Sequence, residues 1–344
     1  LAVALVNDPT ILFLDEPTVT LIRNRSGHWN VLAGLPSAAK DESAYQMFSR
    51  LLQIREATIQ QGHITITDEA RPDGVRTTKL EAVEMALKVY PGKAQGDLHI
   101  SASLPAEAAP SSFSLTGTIG LSESSSSLAA EEPYSVHPAF QFDGEIETTN
   151  LRLREAADFF GPRPVPAQLQ GGANLQSRIR VAPGVAGYDV VLTEIAANVD
   201  ELAVTGKANL AGLLTTQPTF SITFASPTID LKKLFARMPP QWIHPQLPGI
   251  VEQRQLGGTV EIVSATLTGA TAPSPQLSLT GDFRIEKGTA LIGNDRVPTQ
   301  DLSATISVEP GRIRVGKVTG SYGTLQMTDG KAVVSFLDEG PWME

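Results

Sequence analysis

The chain has 344 residues, no cysteine and a net charge of −10, with Lys plus Arg at 27 and Asp plus Glu at 37. This acidity argues against nucleic acid as a partner, because a nucleic-acid binder needs a basic surface to displace counterions. The lack of cysteine excludes disulfides and thiolate metal sites, and the five histidines are scattered without metal-ligand spacing.

Residues 1–18, LAVALVNDPTILFLDEPT, form an apolar stretch that ends in Asp15 and Glu16. This stretch resembles the Walker B segment of an ABC-type ATPase, in which the aspartate orders magnesium and the glutamate positions the attacking water. The resemblance makes Asp15 and Glu16 candidate nucleotide-site residues only if the other parts of such a site are present.

Those other parts are missing from the sequence. Only 14 residues precede Asp15, so there is no room for an upstream phosphate loop, and no LSGGQ-like signature occurs. The nearest phosphate-loop match, GRIRVGKV at 311–318, follows the segment, lacks a magnesium-binding hydroxyl at Val318 and has the alternation of a strand. We therefore predict no ATP hydrolysis. Residues 1–18 are either a native first strand or a segment of another protein fused to this chain.

The remaining chain alternates apolar and polar residues, which is typical of strands. In residues 19–104, Ile64 and Ile66 alternate with threonines, and Glu42 to Leu52 predicts one amphipathic helix. Residues 105–133 are rich in Ser, Ala and Pro, so we predict loops at 105–112 and 122–133 around one strand.

Residues 134–240 contain repeated β units that each end in a short helix, and the motif of the first unit lies before this segment. SLTGTIGL at 114–121 recurs as AVTGKANL at 203–210, and each copy precedes a Pro-x-Phe-x-apolar strand and a short helix, predicted at 153–160 and 229–238. A third copy begins at 278, inside a final β segment that covers residues 241–344. A unit that recurs in this way predicts a sheet that grows by addition of units.

The predicted fold is therefore mainly β, with an antiparallel, repeat-built curved sheet or β-groove and a few short amphipathic helices. The apolar side of the strands either packs as an ordinary core or lines an apolar groove. The candidate lining residues are Ile64, Ile66, Leu98, Ile100, Leu115, Ile119, Phe140, Phe142, Phe220, Ile222, Phe224, Leu277 and Leu279. No spacing of carboxylates or of Ser, His and Asp indicates catalysis, so we predict no catalytic residue, no metal and no cofactor.

Three stretches resemble the AsmA-like family of bacterial envelope proteins: VTLIRNRSGHWNVL at 19–32, LLQIREATIQQGHITITDE at 51–69, and the meander at 288–336. The resemblance covers about residues 19–344. It implies a periplasmic protein of outer-membrane biogenesis, held in the inner membrane by an N-terminal helix and associated with phospholipid transport between the two membranes. Its implied ligands are phospholipid acyl chains, and its protein partners are unknown.

The chain starts at Leu1 and has no apolar run of the roughly 18 residues that a membrane span needs. We therefore expect a partial chain, with the membrane anchor missing. Two other functions stay open: a structural or interaction β module without a lipid ligand, and an ATP-binding fragment of an ABC transporter.

Overall fold

The structure, a computed structural model, divides the chain into two compact units. The first unit contains residues 1–165, 172–193 and 211–215, and the second contains residues 166–171, 194–210 and 216–344. The described residues are 2–4, 11–25, 55–69, 74–90, 95–105, 110–122, 139–152, 154, 171–184, 187–199, 202–213, 218–237, 247–270, 277–292, 297–337 and 340–343.

The first unit is built from long strands with alternating side chains. Its strands are β1 (Ala2–Ala4), β2 (Ile11–Asp15), β3 (Thr18–Arg23), β4 (Glu56–Asp68), β5 (Arg76–Val89), β6 (Gln95–Leu104), β7 (Ser111–Ser122), β8 (Ala139–Arg152) and β9 (Gly172–Gly184). From β4 to β9 each strand pairs antiparallel with the next one. Strands β10 (Gly187–Val199) and β11 (Leu202–Leu213) contribute residues to both units.

The beginning of the chain departs from the predicted antiparallel pattern. Strands β2 and β3 both run parallel to β4, one after the other along its length. The chain bends between them at Glu16, which has a φ of 47°, and at Pro17, which is buried. The segment is therefore two short strands in line rather than one, and Asp15 and Glu16 are exposed at the bend.

The second unit contains a meander and two helices. Its elements are β12 (Thr219–Asp230), α1 (Leu231–Arg237), α2 (Leu247–Arg254), β13 (Gly257–Ala270), β14 (Leu277–Thr289), β15 (Leu291–Ile292), β16 (Val297–Glu309), β17 (Arg312–Tyr322), β18 (Leu325–Leu337) and β19 (Gly340–Met343). All strand pairs from β12 to β19 in this unit are antiparallel, and the short β15 pairs with β16.

Helix α1 confirms the helix predicted at 229–238. It begins after Asp230, whose carboxylate Oδ1 accepts hydrogen bonds from the backbone N–H groups of Lys232 at 2.9 Å and Lys233 at 3.1 Å. These bonds satisfy donors that have no partner within the helix, which is the role of an N-cap. The helices predicted at 42–52 and 153–160 lie, except for Arg154, outside the described residues.

Several strands contain β-bulges at residues in the left-handed region. Gln61 in β4 and Ala82 in β5 have φ values of 49° and 48°, and the register of β4 shifts between Ile59 and Gly62. A bulge adds one residue and bends the strand. Because one extra residue separates Ile59 from Gly62, both still lie on the same face as Ile64, and the apolar alternation continues through the bulge.

The core of the second unit lies between α1 and its sheet. Leu231 and Leu234 of α1 are buried in one cluster with Val260, Ile262 and Phe283 of the neighbouring strands. Phe224, Leu267 and Ile306 are partly buried against the same cluster. An apolar sheet face is therefore covered by a helix here, as in an ordinary α+β core.

The prediction of a mainly β chain with antiparallel pairing and a few short helices is confirmed, apart from the two parallel pairings of β4. The strand predicted at 311–318 is also confirmed as part of β17. Two loop boundaries were wrong, because β7 runs from Ser111 to Ser122 and so includes the end of the loop predicted at 105–112 and the start of the loop predicted at 122–133.

Candidate functional site

The register of the first unit places the proposed lining residues of that unit on a single face. Ile100 of β6 lies opposite Met85 of β5 and Leu115 of β7. Ile119 of β7 lies opposite Phe142 of β8. Side chains directly opposite each other in a ladder point to the same side of the sheet, so these strands share one apolar surface.

The same surface continues through β4 to β3. Ile64 lies opposite Leu80 of β5 and beside Val19 of β3, and Ile66 lies beside Leu21. We call this surface, which extends to β9, the apolar face of the first unit: Val19, Leu21, Ile64, Ile66, Leu80, Met85, Leu87, Leu98, Ile100, Leu115, Ile119, Phe140, Phe142, Ile146, Ile179 and Val181.

Burial along the apolar face is incomplete. Leu98 and Phe142 are buried at 8% and 3% exposure, whereas Ile100 and Leu115, which lie opposite each other, are only half-buried. Ile64 is also half-buried, but it lies two rows away, beyond the buried Val83. Partly exposed aliphatic side chains that lie side by side, such as Ile100 and Leu115, form an apolar strip, and contiguous apolar surface commonly marks a binding site.

The opposite face of the same strands is polar. His99, Thr116, Glu145 and Arg178 alternate with residues of the apolar face and are exposed. His99 Nδ1 is 2.8 Å from Thr116 Oγ1, and a shallow depression of about 890 Å³ on this side is lined mainly by polar residues. The sheet thus has one apolar side and one wet side, as the alternation predicts.

Two glycines, Gly117 and Gly144, lie on the apolar face under the ring of Phe142. Gly117 of β7 lies directly opposite Gly144 of β8. A Cβ atom at either glycine would lie within 2.8 Å of Phe142 Cζ. The phenyl ring therefore lies over a part of the sheet that has no side chains, which gives the face a flat aromatic area between aliphatic rows.

The proposed lining residues Phe220, Ile222, Phe224 and Leu279 of the second unit also share a face. Phe220, Ile222 and Phe224 of β12 lie opposite Gly269, Leu267 and Ala265 of β13, and Leu277 and Leu279 of β14 lie opposite Gly269 and Leu267. Phe224 and Leu279 belong to the core that α1 covers. For these two residues the structure favours the core interpretation over the groove interpretation, while Phe220 and Ile222 are half-buried.

A row of charged side chains closes one end of the apolar face of the first unit. Arg23 lies beside Asp68, and Arg76 lies opposite Asp68, in the row next to Leu21 and Ile66. Arg23 Nη1 is 3.6 Å from Asp68 Oδ2, and Arg76 is only 3% exposed. We call Arg23, Asp68 and Arg76 the charged row.

The charged row was not identified from the sequence. The available signal is the alternation in RTTKL, residues 76–80, which places Arg76 and Leu80 on the same side of β5. An arginine at an inward position of an amphipathic strand is unusual, because arginine side chains are mostly exposed.

The candidate nucleotide residues Asp15 and Glu16 lie at the end of β2 and are exposed. Across the described ranges, no group of three or more His, Asp or Glu side chains has the arrangement of a metal site. No helix among the described residues combines the length and the apolar character that crossing a bilayer requires.

Comparisons of the chain with known protein families, with curated proteins and with solved structures give no match.

Proposed function

We propose that this chain is a non-enzymatic periplasmic protein that shelters phospholipid acyl chains on the apolar face of the first unit. The observation that supports this proposal most directly is the register of β3 to β9, which aligns the apolar residues of seven strands on one side. The resemblance of residues 19–344 to the AsmA-like family is the reason that we propose outer-membrane biogenesis as the process and lipid transport between the membranes as the role.

The dimensions of the face suit this ligand. Six inter-strand spacings separate β3 from β9, and at about 4.8 Å each they span about 29 Å. This length is close to the hydrocarbon thickness of a bilayer, about 30 Å, which two acyl chains fill end to end.

To carry an acyl chain, the protein must bury the chain away from water, and no chemical reaction is needed. Exposure of a 16-carbon acyl chain to water costs about 12 kcal/mol, at about 0.8 kcal/mol for each methylene group. A half-buried aliphatic strip such as Ile100 and Leu115 offsets this cost by removing the chain from water, while the polar side of the same strands stays hydrated.

A structural or interaction module without lipid is the second candidate, and one observation favours it. In the second unit α1 covers an apolar sheet face with Leu231 and Leu234. If the apolar face of the first unit is covered by protein in the same way, no lipid ligand is needed.

The test is lipid extraction from the purified, monodisperse protein, followed by mass spectrometry. We expect co-purifying phospholipid in the wild-type protein and its loss in Ile100→Asp, which places a charge in the centre of the apolar face. The matched control is His99→Asp, the neighbouring residue on the polar side of β6, which should keep its lipid.

A photo-crosslinking residue at Leu115 should likewise label added phospholipid, whereas the same residue at Thr116 on the polar side should not. A lipid-free wild-type protein that also gives no crosslink at Leu115 would favour the structural module. The circular dichroism of both aspartate variants must show an intact β fold for the comparison to count.

A further inference from the structure

We propose that the polar side of β7 binds a neutral oligosaccharide, which lies along the strand. This side of the sheet is opposite to the apolar face, so the inference does not depend on the proposed function. We call the outward residues of β7 the polar trough: Ser112, Ser114, Thr116, Thr118 and Gly120.

The polar trough is elongated. The depression of about 890 Å³ is lined by Thr116, Thr118 and Gly120 of β7, and a second depression of about 310 Å³ is lined by Ser112 and Ser114. Both volumes lie in the range of about 300–1,000 Å³ that ligand sites occupy. The distance from Ser112 to Gly120 is about 27 Å at about 3.4 Å per residue. This shape suits a chain of linked sugar rings rather than a compact molecule.

The sizes of the side chains explain the trough. Every outward residue of β7 is small, whereas the facing residues of β8 are longer: Glu147 lies opposite Ser114, Glu145 opposite Thr116, Asp143 opposite Thr118 and Gln141 opposite Gly120. On the other side β6 contributes His99, whose Nδ1 is 2.8 Å from Thr116 Oγ1. Hydroxyl groups therefore form the floor of the trough, and carboxylate and amide groups form one wall.

The hydrogen-bonding groups of the trough match those of a sugar. A hydroxyl group both donates and accepts hydrogen bonds, and so does an amide side chain, whereas a carboxylate only accepts. Across the described residues, the side chains of Ser112, Ser114, Thr118, Gln141 and Glu145 form no hydrogen bond within the protein. They therefore offer donors and acceptors together, as the hydroxyl groups of a sugar require.

The charge around the trough disfavours an anionic ligand. Carboxylates are in excess on the polar side of these strands: Asp97, Asp143, Glu145 and Glu147 face Arg178 and Arg180, and β5 adds Glu81 and Glu84 against Lys88. Arg178 Nη2 is also 4.0 Å from Asp143 Oδ1. Because a surface with an excess of negative charge repels anions, a neutral sugar chain suits the trough better than a phosphorylated or sulfated one.

The fold disfavours a peptide as the ligand. Extended peptides are commonly recognised by addition to a free sheet edge, with pockets for alternate side chains. Strand β7 is paired with β6 on one side and with β8 on the other, so its backbone is already used. The five residues of the polar trough are hydroxyl residues and a glycine, which form no apolar pocket for peptide side chains.

The experiment measures sugar binding to the full chain by titration calorimetry, with the linear tetrasaccharides of glucose, mannose and N-acetylglucosamine as probes. We expect at least one of them to bind, and to bind at least about tenfold more tightly than its monosaccharide, because the longer ligand forms more hydrogen bonds. Thr118→Val removes a hydroxyl group and should weaken this binding about fivefold, and Glu145→Gln removes a charged acceptor and should weaken it about tenfold.

The matched control is Thr328→Val, an exposed threonine of β18 in the second unit, which should not change the affinity. Thr118→Val should also keep its co-purifying phospholipid, because Thr118 lies on the polar side of the sheet. Loss of sugar binding without loss of lipid separates this inference from the proposed function.

Two results would overturn the inference: no binding of any of the three tetrasaccharides, or an affinity that neither Thr118→Val nor Glu145→Gln lowers. Tighter binding of tetralysine than of every tetrasaccharide would show an acidic surface for cationic peptides and would also overturn it. None of these results bears on the lipid content of the wild-type protein, which tests the proposed function by itself.

Discussion

Gly117 and Gly144 lie directly opposite each other on β7 and β8, and the ring of Phe142 lies against both. A Cβ atom at Gly144 would be 2.2 Å from the carbonyl oxygen of Thr116 and 2.7 Å from Phe142 Cζ. Real Cβ atoms do not approach other atoms this closely, so any larger residue at either position must push the strands apart or displace the ring.

We therefore expect Gly144→Ala to lower the free energy of unfolding by about 1–3 kcal/mol, the usual cost of overpacking. Urea denaturation of the two proteins measures the change. Gly249→Ala is the matched control, since Gly249 lies in α2 with no atom near its Cβ position, and alanine in a helix should be more stable by about 0.8–1 kcal/mol. An unchanged stability of Gly144→Ala would contradict the observed packing.

The strands that we predicted from the sequence are those in which an apolar residue recurs at every second position without interruption. Leu98, Ile100 and Leu115 are such residues, and the register places all three on one face. Period-two alternation is a local signal, so it identifies strands and their apolar sides from the sequence alone.

Features that depend on distant contacts were not predictable in this way. The parallel pairing of β2 with β4 joins residues more than 40 positions apart, and no local pattern encodes it. Helix α2 was missed because it contains Pro248 and Gly249, which weaken a helical pattern. The burial of Arg76 was missed because charged residues are normally assigned to the surface.

The bulge at Lys287 gives a second prediction. Lys287 in β14 has a φ of 52°, a conformation that costs a non-glycine residue about 1–2 kcal/mol. Lys287→Gly removes this cost but adds the entropy of glycine in the unfolded chain, about 0.5–1 kcal/mol. We expect the free energy of unfolding of Lys287→Gly to be unchanged or higher by up to about 1.5 kcal/mol.

The control for this bulge is Lys79→Gly in β5, a lysine in ordinary strand conformation opposite Thr65. This change has only the entropic cost and should lower the free energy of unfolding by about 0.5–1 kcal/mol. Thermal and urea denaturation of both variants measure the difference. Equal destabilisation by the two substitutions would show that Lys287 is not held in a strained conformation.

The packing of α1 on its sheet gives a third prediction. Leu234 is 3% exposed and belongs to the core cluster of the second unit, so Leu234→Ala should lower the free energy of unfolding by about 2–5 kcal/mol through lost burial and a cavity. Leu325→Ala is the control, because Leu325 is 65% exposed and its truncation should change stability by less than about 0.5 kcal/mol. Similar effects of the two substitutions in urea would argue against a closed core under α1.

Tyr90 gives the fourth prediction, which concerns pH. Its hydroxyl donates a hydrogen bond to Asp97 Oδ2, and this bond, some desolvation and the negative charge of Asp97 raise the pKa of Tyr90 above its ordinary value of 10.0. The proton is thus bound more tightly in the folded chain than in the unfolded chain. The resulting stabilisation is fully present below pH 10.0 and is lost as the pH rises through the raised pKa.

The measurement is a titration of tyrosinate absorbance, in which subtraction of the Tyr90→Phe curve isolates Tyr90 among the five tyrosines. We expect a midpoint above 10.0. Asp97→Asn should move it down toward the ordinary value, because the substitution removes the charge that opposes the tyrosinate. Asp143→Asn, which removes a carboxylate on β8, is the control and should leave the midpoint in place. A midpoint at or below the ordinary value in the wild-type protein would mean that the Tyr90–Asp97 hydrogen bond does not form in solution, because a hydrogen bond to the protonated phenol holds that proton and raises the pKa.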